Sequence, residues 1–328
     1  MPQEKTPHLP PATVDVLKCP ICFFPSTSPG RLRRSGYNFD YCPACSVLFM
    51  NPTPTQEDLI SFYGGAYWER TNSKRSRRYR FKKQFLRALF FEDELKKAGV
   101  PKGGRILEIG SGFGGIVWAL SHLRDMEPSA LELDPQAGLF QQKLGVKILD
   151  SGVQEGSAAQ GGFDVVVLSH VLEHQLDPRE LLRKAFGLLN PSGTVLIEVP
   201  HHHFVVDGSI DHPLAFSKYA LDRLLREFAG DVRYRVHSGI ENVALPPKYL
   251  LGVARVAQTP RLNSVRHPLP AAISLPTQRI ATFARNFGPL RGANYRLSRV
   301  FRGQIDRRVQ KLFESLPPWV SGWLDEPR

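Results

Sequence analysis

Apolar positions recur along the chain in two rhythms. Between residues 105 and 256, short runs of aliphatic and β-branched residues alternate with segments in which apolar positions return every three to four residues. Arg105–Ile109, Ser129–Leu133, Val146–Leu149, Phe163–Leu168, Thr194–Val199, Val232–Val236 and Tyr249–Val256 read as strands. Gly115–Leu123, a stretch ending near Leu144, Arg179–Leu189 and Ser217–Ala229 read as helices. The FDVVVL run at 163–168 is apolar at nearly every position, as suits a strand covered on both faces at the centre of a sheet. Such alternation predicts an α/β fold: a doubly wound, mostly parallel seven-stranded sheet with helices on both faces.

Outside this block the rhythm changes. Tyr79, Phe81, Phe85, Leu89 and Phe90 return at helical spacing among basic residues, so Ser73–Lys97 predicts a helix. Past residue 257, Pro260, Pro268, Pro270 and Pro276 break any regular element. Arg279, Arg285, Arg291, Arg296, Arg299, Arg302, Arg307 and Arg308 then stand among apolar residues, predicting one or two basic amphipathic helices. The expected organisation is a disordered tail (1–15), a small cysteine-bearing module (16–51), a basic helical connector (52–99), the α/β domain (100–257) and a Pro-rich linker with a basic helical extension (258–328).

The chain has 328 residues, 42% hydrophobic and 23% charged, an ordinary globular composition. The segment Met1–Lys18 is polar and Pro-rich, unlike a signal peptide. The uncharged stretch Ile109–Leu123 is short and holds four glycines, so no membrane-spanning helix is expected. A soluble chain, cytoplasmic or peripheral at a membrane, follows as the expectation. The net charge of +12 makes a polyanion or an anionic membrane surface a candidate partner.

All four cysteines lie within the first 45 residues, as Cys19-Pro-Ile-Cys22 and Cys42-Pro-Ala-Cys45 separated by 19 residues. Each C-x-x-C turn places two thiolates on one side of a tight loop, and two such turns complete a tetrahedral sulfur cage. A zinc-ribbon-like module is expected. Four thiolates leave no position for water, so its Zn2+ would be structural.

Leu107-Glu108-Ile109-Gly110-Ser111-Gly112-Phe113-Gly114 follows a predicted strand and opens a helix. Glycines there let the chain turn sharply and let a ligand approach the backbone. A pyrophosphate at that helix N-terminus would meet Glu108 unfavourably, so a nucleoside without phosphates fits better. Glu132, ending the next strand, is placed to accept hydrogen bonds from two ribose hydroxyls.

ILEIGSGFGG, ALELDP, FDVVVLSHVLEHQLDP and LNPSGTVLIEVP, in this order over residues 100–256, resemble the motifs of class I S-adenosylmethionine-dependent methyltransferases. The CPIC…CPAC prefix resembles a zinc-binding module found before this domain in a branch that modifies sugars, cell-surface polysaccharide precursors and other small molecules. The resemblance implies S-adenosyl-L-methionine as cofactor. Glu108, Gly110, Ser111, Gly112 and Gly114 would line its methionine part, Glu132 would hold the ribose, and Leu133 would pack on the adenine. Asp150 and the backbone of Val153 are equal candidates for the adenine amine, and Ser169 and His170 would close the site.

Methyl transfer from a sulfonium is an in-line displacement, so the enzyme aligns donor and acceptor and removes at most one proton. Candidate bases gather at the carboxyl ends of the predicted strands: His170, Glu173, His174, the run His201-His202-His203, and His212. His170 or His212 is the preferred base on an acceptor hydroxyl, because histidine titrates near neutrality. Glu173 and His174 read equally as the start of a helix, capping it or fixing the loop. A metal-binding histidine cluster is a further alternative. Ser217 is a candidate N-cap for the following helix.

An Asn or Asp followed by Pro-Pro and an aromatic, the amino-methylating signature, is replaced here by Ser169-His170-Val171-Leu172. The resemblance therefore implies an oxygen, or secondarily a carbon, of a small molecule or saccharide as acceptor. Lys74, Arg75, Arg77, Arg78, Arg80, Lys82 and Lys83 form a basic cluster that supports an alternative, an RNA methyltransferase gripping phosphates. The C-terminal arginines support another, contact of the extension with an anionic membrane. Oligomeric state is open.

Overall fold

The computed structural model describes residues 9–25, 32–34, 36–64, 77–149, 162–201, 212–237, 249–256 and 307–325. Asp150, Val153, His202, His203, Lys74, Arg75 and the Pro-rich linker lie outside the described residues.

A seven-stranded sheet is built from β4 (Arg105–Ile109), β5 (Glu127–Leu131), β6 (Lys147–Ile148), β7 (Phe163–Ser169), β8 (Leu189–Pro200), β10 (Ala229–His237) and β11 (Tyr249–Val256). Its order is β10-β11-β8-β7-β4-β5-β6. Only β11 runs against its neighbours. The doubly wound, mostly parallel expectation holds. Because β4 and β7 are adjacent while their successors leave in opposite directions, the sheet's switch point falls between them. A crevice opens there at the strands' carboxyl ends, where ligands of open α/β sheets bind.

Two boundaries differ from expectation for visible reasons. β5 ends at Leu131, two residues early, because Asp134 must leave the sheet to cap α4 (Pro135–Lys143). Its carboxylate accepts from the amides of Gln136 and Ala137. β8 starts at Leu189, upstream of the expected Thr194. Asn190 Nδ2 donates to Asp164 Oδ1 and secures that early start. Ser217 caps α6 (Lys218–Leu225) through the Ala220 amide, as expected.

Each sheet face carries its own core. On one face α2 (Arg77–Lys97) and α3 (Gly115–Arg124) bury Phe81, Phe85, Phe91 and Trp118. Helical residues 307–314 and α7 (Pro318–Asp325) close this layer, with Val309, Leu312, Leu316, Val320 and Leu324 buried. The apolar face of this part of the extension is thus taken up by the domain. Arg77 lies over Trp323, 4.3 Å from the ring centre, and Arg78 over Phe313 at 5.4 Å. Two of the basic-cluster arginines therefore help clamp the extension. No helix among the described residues is long and apolar enough to cross a membrane.

On the opposite face, α5 (Pro178–Gly187) and α6 pack with the cysteine module. That module is a small antiparallel sheet of β1 (Leu32–Arg34), β2 (Tyr37–Tyr41) and β3 (Leu48–Met50), followed by α1 (Gln56–Gly64). Its fourth strand, β9 (Leu214–Ala215), comes from the segment after β8. Met50 N donates to Pro213 O, and Ser217 Oγ to Cys45 O. The segment after β8 therefore lends the module's sheet a strand, and this stitch runs beside His212.

Candidate active site and metal centres

The glycine loop at the end of β4 is held from three sides. Gly110, Gly112 and Gly114 have φ of +68°, +58° and +75°, conformations L side chains avoid. Gln141 of α4 donates to Gly112 O at 2.7 Å and accepts from Ser111 Oγ at 3.0 Å. Ser111 is thereby buried into the loop's scaffold. Glu132 accepts from Gly112 N at 2.6 Å and from Asp134 N at 2.9 Å. Burial raises its carboxyl above the ordinary range, against the pull of these amides.

Glu108 is 1% exposed, and its Oε2 accepts from Val117 N at 2.9 Å. Gly114 has no side chain with which to cap α3, so Glu108 supplies the missing acceptor in the helix's first turn. Burial pushes its carboxyl up to about 8. Leu133, by contrast, is 55% exposed beside the crevice, an apolar face open to a ring.

Across the switch point, the turn after β7 carries the candidate bases. His170 has φ +59°, which folds the chain back over the sheet's edge, and Leu172–His174 form one 3₁₀ turn. The expectation that Glu173 and His174 begin a helix is corrected: α5 starts at Pro178 and is capped by Asp177, whose carboxylate accepts from the Arg179 and Glu180 amides. A Cβ built on Gly110 would stand 2.6 Å from Val171 Cγ2. Only glycine lets the glycine loop and this turn touch.

Glu173 is 1% exposed and its Oε1 lies 3.0 Å from His170 Nδ1. The carboxylate partner assigns the proton to Nδ1. His170 Nε2 sits 2.9 Å from Arg87 Nη2 and 2.9 Å from Glu198 Oε1. Neutral, that nitrogen accepts from Arg87; protonated, it donates to Glu198. Burial and Arg87 oppose the charge, but the two carboxylates outweigh them and raise the ring's pKa. Both nitrogens of His170 are thus committed within the protein.

Beneath His170, Glu198 is 0% exposed near the carboxyl end of β8. Arg87 Nε donates to its Oε1 at 2.5 Å, and His237 Nε2 lies 3.0 Å from Oε2. Burial would raise this carboxyl, yet Arg87 first and then the histidines hold it well below the carboxylate range. Phe90 stacks on His237, and Arg87 lies over the Tyr249 ring. On the open side, His212 Nε2 is 4.0 Å from Glu173 Oε1, and the His174 and His212 rings stand edge to face, 4.8 Å apart. Tyr63 of α1 meets His174 Nδ1 at 2.9 Å.

A glycine loop and a histidine–carboxylate turn thus face each other across the switch point of a doubly wound sheet. The family model described as a methyltransferase domain matches residues 73–241, more than half of the chain. The chain belongs to this methyltransferase domain family. Curated relatives align over shorter stretches. A ubiquinone biosynthesis O-methyltransferase of Xanthomonas axonopodis pv. citri is 33% identical over 105 residues, covering 30% of this chain and 43% of the relative. A tRNA U34 carboxymethyltransferase of Syntrophotalea carbinolica is 32% identical over 120 residues, covering 34% of this chain and 35% of the relative. The chain therefore matches less than half the length of either. A solved structure of the plantazolicin methyltransferase BpumL with SAH is 16% identical, with a TM-score of 0.46, over 61% of this chain and 94% of that one.

Ahead of the matched residues lies a cysteine centre. Cys19, Cys22, Cys42 and Cys45 place their sulfurs within 4.8 Å of one another, with 3.6 Å between Cys19 and Cys45 and 3.4 Å between Cys22 and Cys42. Zinc with Zn–S bonds near 2.3 Å would set tetrahedral sulfurs about 3.8 Å apart, so the cage fits that ion. Phe23 and Ser46, one residue beyond each knuckle, both adopt left-handed φ (+59° and +61°). Their amides donate to the carbonyls of Cys19 and Cys42, giving two matching turns. Contact between the sulfurs pushes the Cys22 and Cys42 thiols down and the Cys19 and Cys45 thiols up.

The structure brings His170, Glu173, His174 and His212 together, and adds Arg87, Glu198, His237, Tyr63 and Gln141, which the sequence did not point to. Glu198 left one signal, a lone carboxylate inside the apolar run TVLIEVP. The others are ordinary polar positions on a helix or strand until packing turns them inward.

Proposed function

We propose that this chain is an S-adenosylmethionine-dependent methyltransferase acting on an oxygen of a small molecule or saccharide. The observation that carries the reading is the contact at the switch point between the Gly110 loop and the Val171 turn. It sets the loop that Glu132 braces directly against the turn of a buried Glu173 flanked by His174 and His212. Glu132 would take the ribose hydroxyls, Leu133 the adenine face, and Gly110, Gly112 and Gly114 the methionine part. S-adenosylmethionine supplies an electrophilic methyl group. The acceptor oxygen forms a bond to that carbon as the sulfur–carbon bond breaks, S-adenosylhomocysteine departs, and the hydroxyl proton is lost on the Glu173–His174–His212 side.

His170 is assigned here to positioning, not to the base role. Its Nδ1 fixes Glu173, and its Nε2 is held by Arg87 and Glu198. His212 stands on the open side, beside Glu173 and His174, where an acceptor would meet it. An oxygen acceptor also suits the absence of the amino-methylating signature. Arg77 and Arg78, spent on Trp323 and Phe313, weigh against an RNA-gripping patch.

Isothermal titration with S-adenosylhomocysteine tests the donor site. Micromolar binding to the parent protein and loss of at least about tenfold, or roughly 1.4 kcal/mol, in Glu132→Ala is the expected result. No binding to the folded, zinc-loaded protein would sink the reading. A methyl-transfer screen of phenols and saccharides against RNA then identifies the acceptor class.

A further inference from the structure

Outside the cysteine cage, the described residues hold one more group with the make-up of a metal site. Glu173, His174 and His212 each offer a ligand atom, all within 4.8 Å of one another. Glu173 Oε2 is buried and accepts no hydrogen bond, although the residue is 1% exposed. Leaving a carboxylate oxygen unsatisfied away from water costs on the order of 1–3 kcal/mol, so such an atom points to a ligand. The partners around the group point the same way. Glu173 is held through its other oxygen by His170 Nδ1, and His170 is in turn held by Arg87 and Glu198. His174 is held through Nδ1 by the Tyr63 hydroxyl, which orients Nε2 as its ligating nitrogen. Metal-binding carboxylates and imidazoles are fixed in this manner, with the atom away from the metal hydrogen-bonded to an outer partner.

We propose that Glu173, His174 and His212 bind one divalent transition-metal cation, separate from the zinc of the cysteine cage. Two imidazoles and one carboxylate suit Zn2+, Fe2+, Mn2+ or Co2+, and disfavour Ca2+ and Mg2+, which take oxygen ligands. Metal–ligand bonds near 2.1 Å bring ligands to roughly 3.0–3.5 Å from one another, so the ligand atoms close by about 1.8 Å at most. Three protein ligands leave open positions, unlike the four sulfurs of the cage. They open at the crevice, where the acceptor oxygen would bind and lose its proton more readily as a metal ligand. This role rests on the methyl-transfer reading, whereas the binding itself does not.

The test titrates the full chain, purified with its cysteine cage filled by zinc, with Co2+. One further equivalent should bind and produce visible d–d absorption without the sulfur-to-cobalt charge-transfer band of a thiolate site. Outer partners of a metal typically contribute about 10–100-fold in affinity, so Tyr63→Phe should weaken binding within that range. Glu173→Gln and His212→Ala, which remove ligands, should weaken it more. Cobalt that enters only with the thiolate signature, or binding unchanged in all three variants, would overturn the site. Tyr63→Phe keeps the ring and serves if the other two fail to fold. S-adenosylhomocysteine titration of the same samples separates the two readings. Donor binding without cobalt binding sinks the metal site alone, and cobalt binding without donor binding sinks the methyl-transfer reading alone.

Discussion

The Arg87–Glu198 pair places a buried charge at the site, and its energy can be measured directly. Glu198 is 0% exposed and Arg87's side chain 16% exposed, with 2.5 Å between Nε and Oε1. Glu198→Gln keeps the shape of the side chain while removing the anion. Breaking a buried pair from one side costs about 3–5 kcal/mol, because the remaining charge stays desolvated. We expect the upper half of that range, since the same carboxylate also faces His170 and His237. Arg87→Met should cost somewhat less, because the two histidines still compensate Glu198. The double variant should then be less destabilised than the summed singles by about 2–3 kcal/mol, the coupling left once neither charge is stranded. Urea unfolding of the four proteins at neutral pH measures all of this. The pH dependence follows from the depressed pKa of Glu198. Its contribution is fully present above the ordinary carboxylate value of 4.5 and is lost as pH falls through the lower folded value. The gap between the parent protein and Glu198→Gln should therefore close on acidification. Single effects below about 0.5 kcal/mol, or strict additivity, would refute the reasoning.

Further outcomes follow from other contacts. Gly110→Ala adds a Cβ at φ +68° and 2.6 Å from Val171 Cγ2. It should cost about 1–2 kcal/mol from the backbone alone and lower turnover more than tenfold, with partial rescue by Val171→Ala. A Gly110→Ala protein with parental kinetics would show that the two loops need not touch. Cys42→Ser should release zinc, whose binding contributes on the order of 10 kcal/mol to such a module, and free the β9 segment beside His212. Metal analysis should read the loss, with turnover abolished and S-adenosylhomocysteine binding retained; retained turnover would detach the module from the acceptor side. Ser217→Ala removes the cap on Ala220 N and the bond to Cys45 O. It should cost about 1–2 kcal/mol in urea unfolding, and no change would argue against that cap.

The legible part of the molecule is the part encoded locally. The β-branched run at 163–168, the glycines after β4 and the cap at Ser217 act within a few residues of themselves, so periodicity and residue type suffice to place them. The two C-x-x-C turns are legible for the same reason, since each knuckle is a local turn and only their pairing is long-range. His170, Glu173 and His174 follow a strand whose carboxyl end could be read, which put them near the crevice.

Tertiary structure alone decided what those residues face. Glu108 became the acceptor for the first turn of α3 because Gly114 has no side chain there. The nitrogen Nε2 of His170 was taken up by Arg87, 83 positions upstream, and Glu198, on the neighbouring strand. His212 reached Glu173 because β9 pairs with β3, a strand more than 160 residues earlier in the chain. A sequence records which groups a segment can offer, through the short-range geometry of turns, strands and helices. The partner that settles a buried charge is chosen by sheet order and packing, where residues far apart in sequence are forced together out of water. At this site, the charges that matter most are of that second kind.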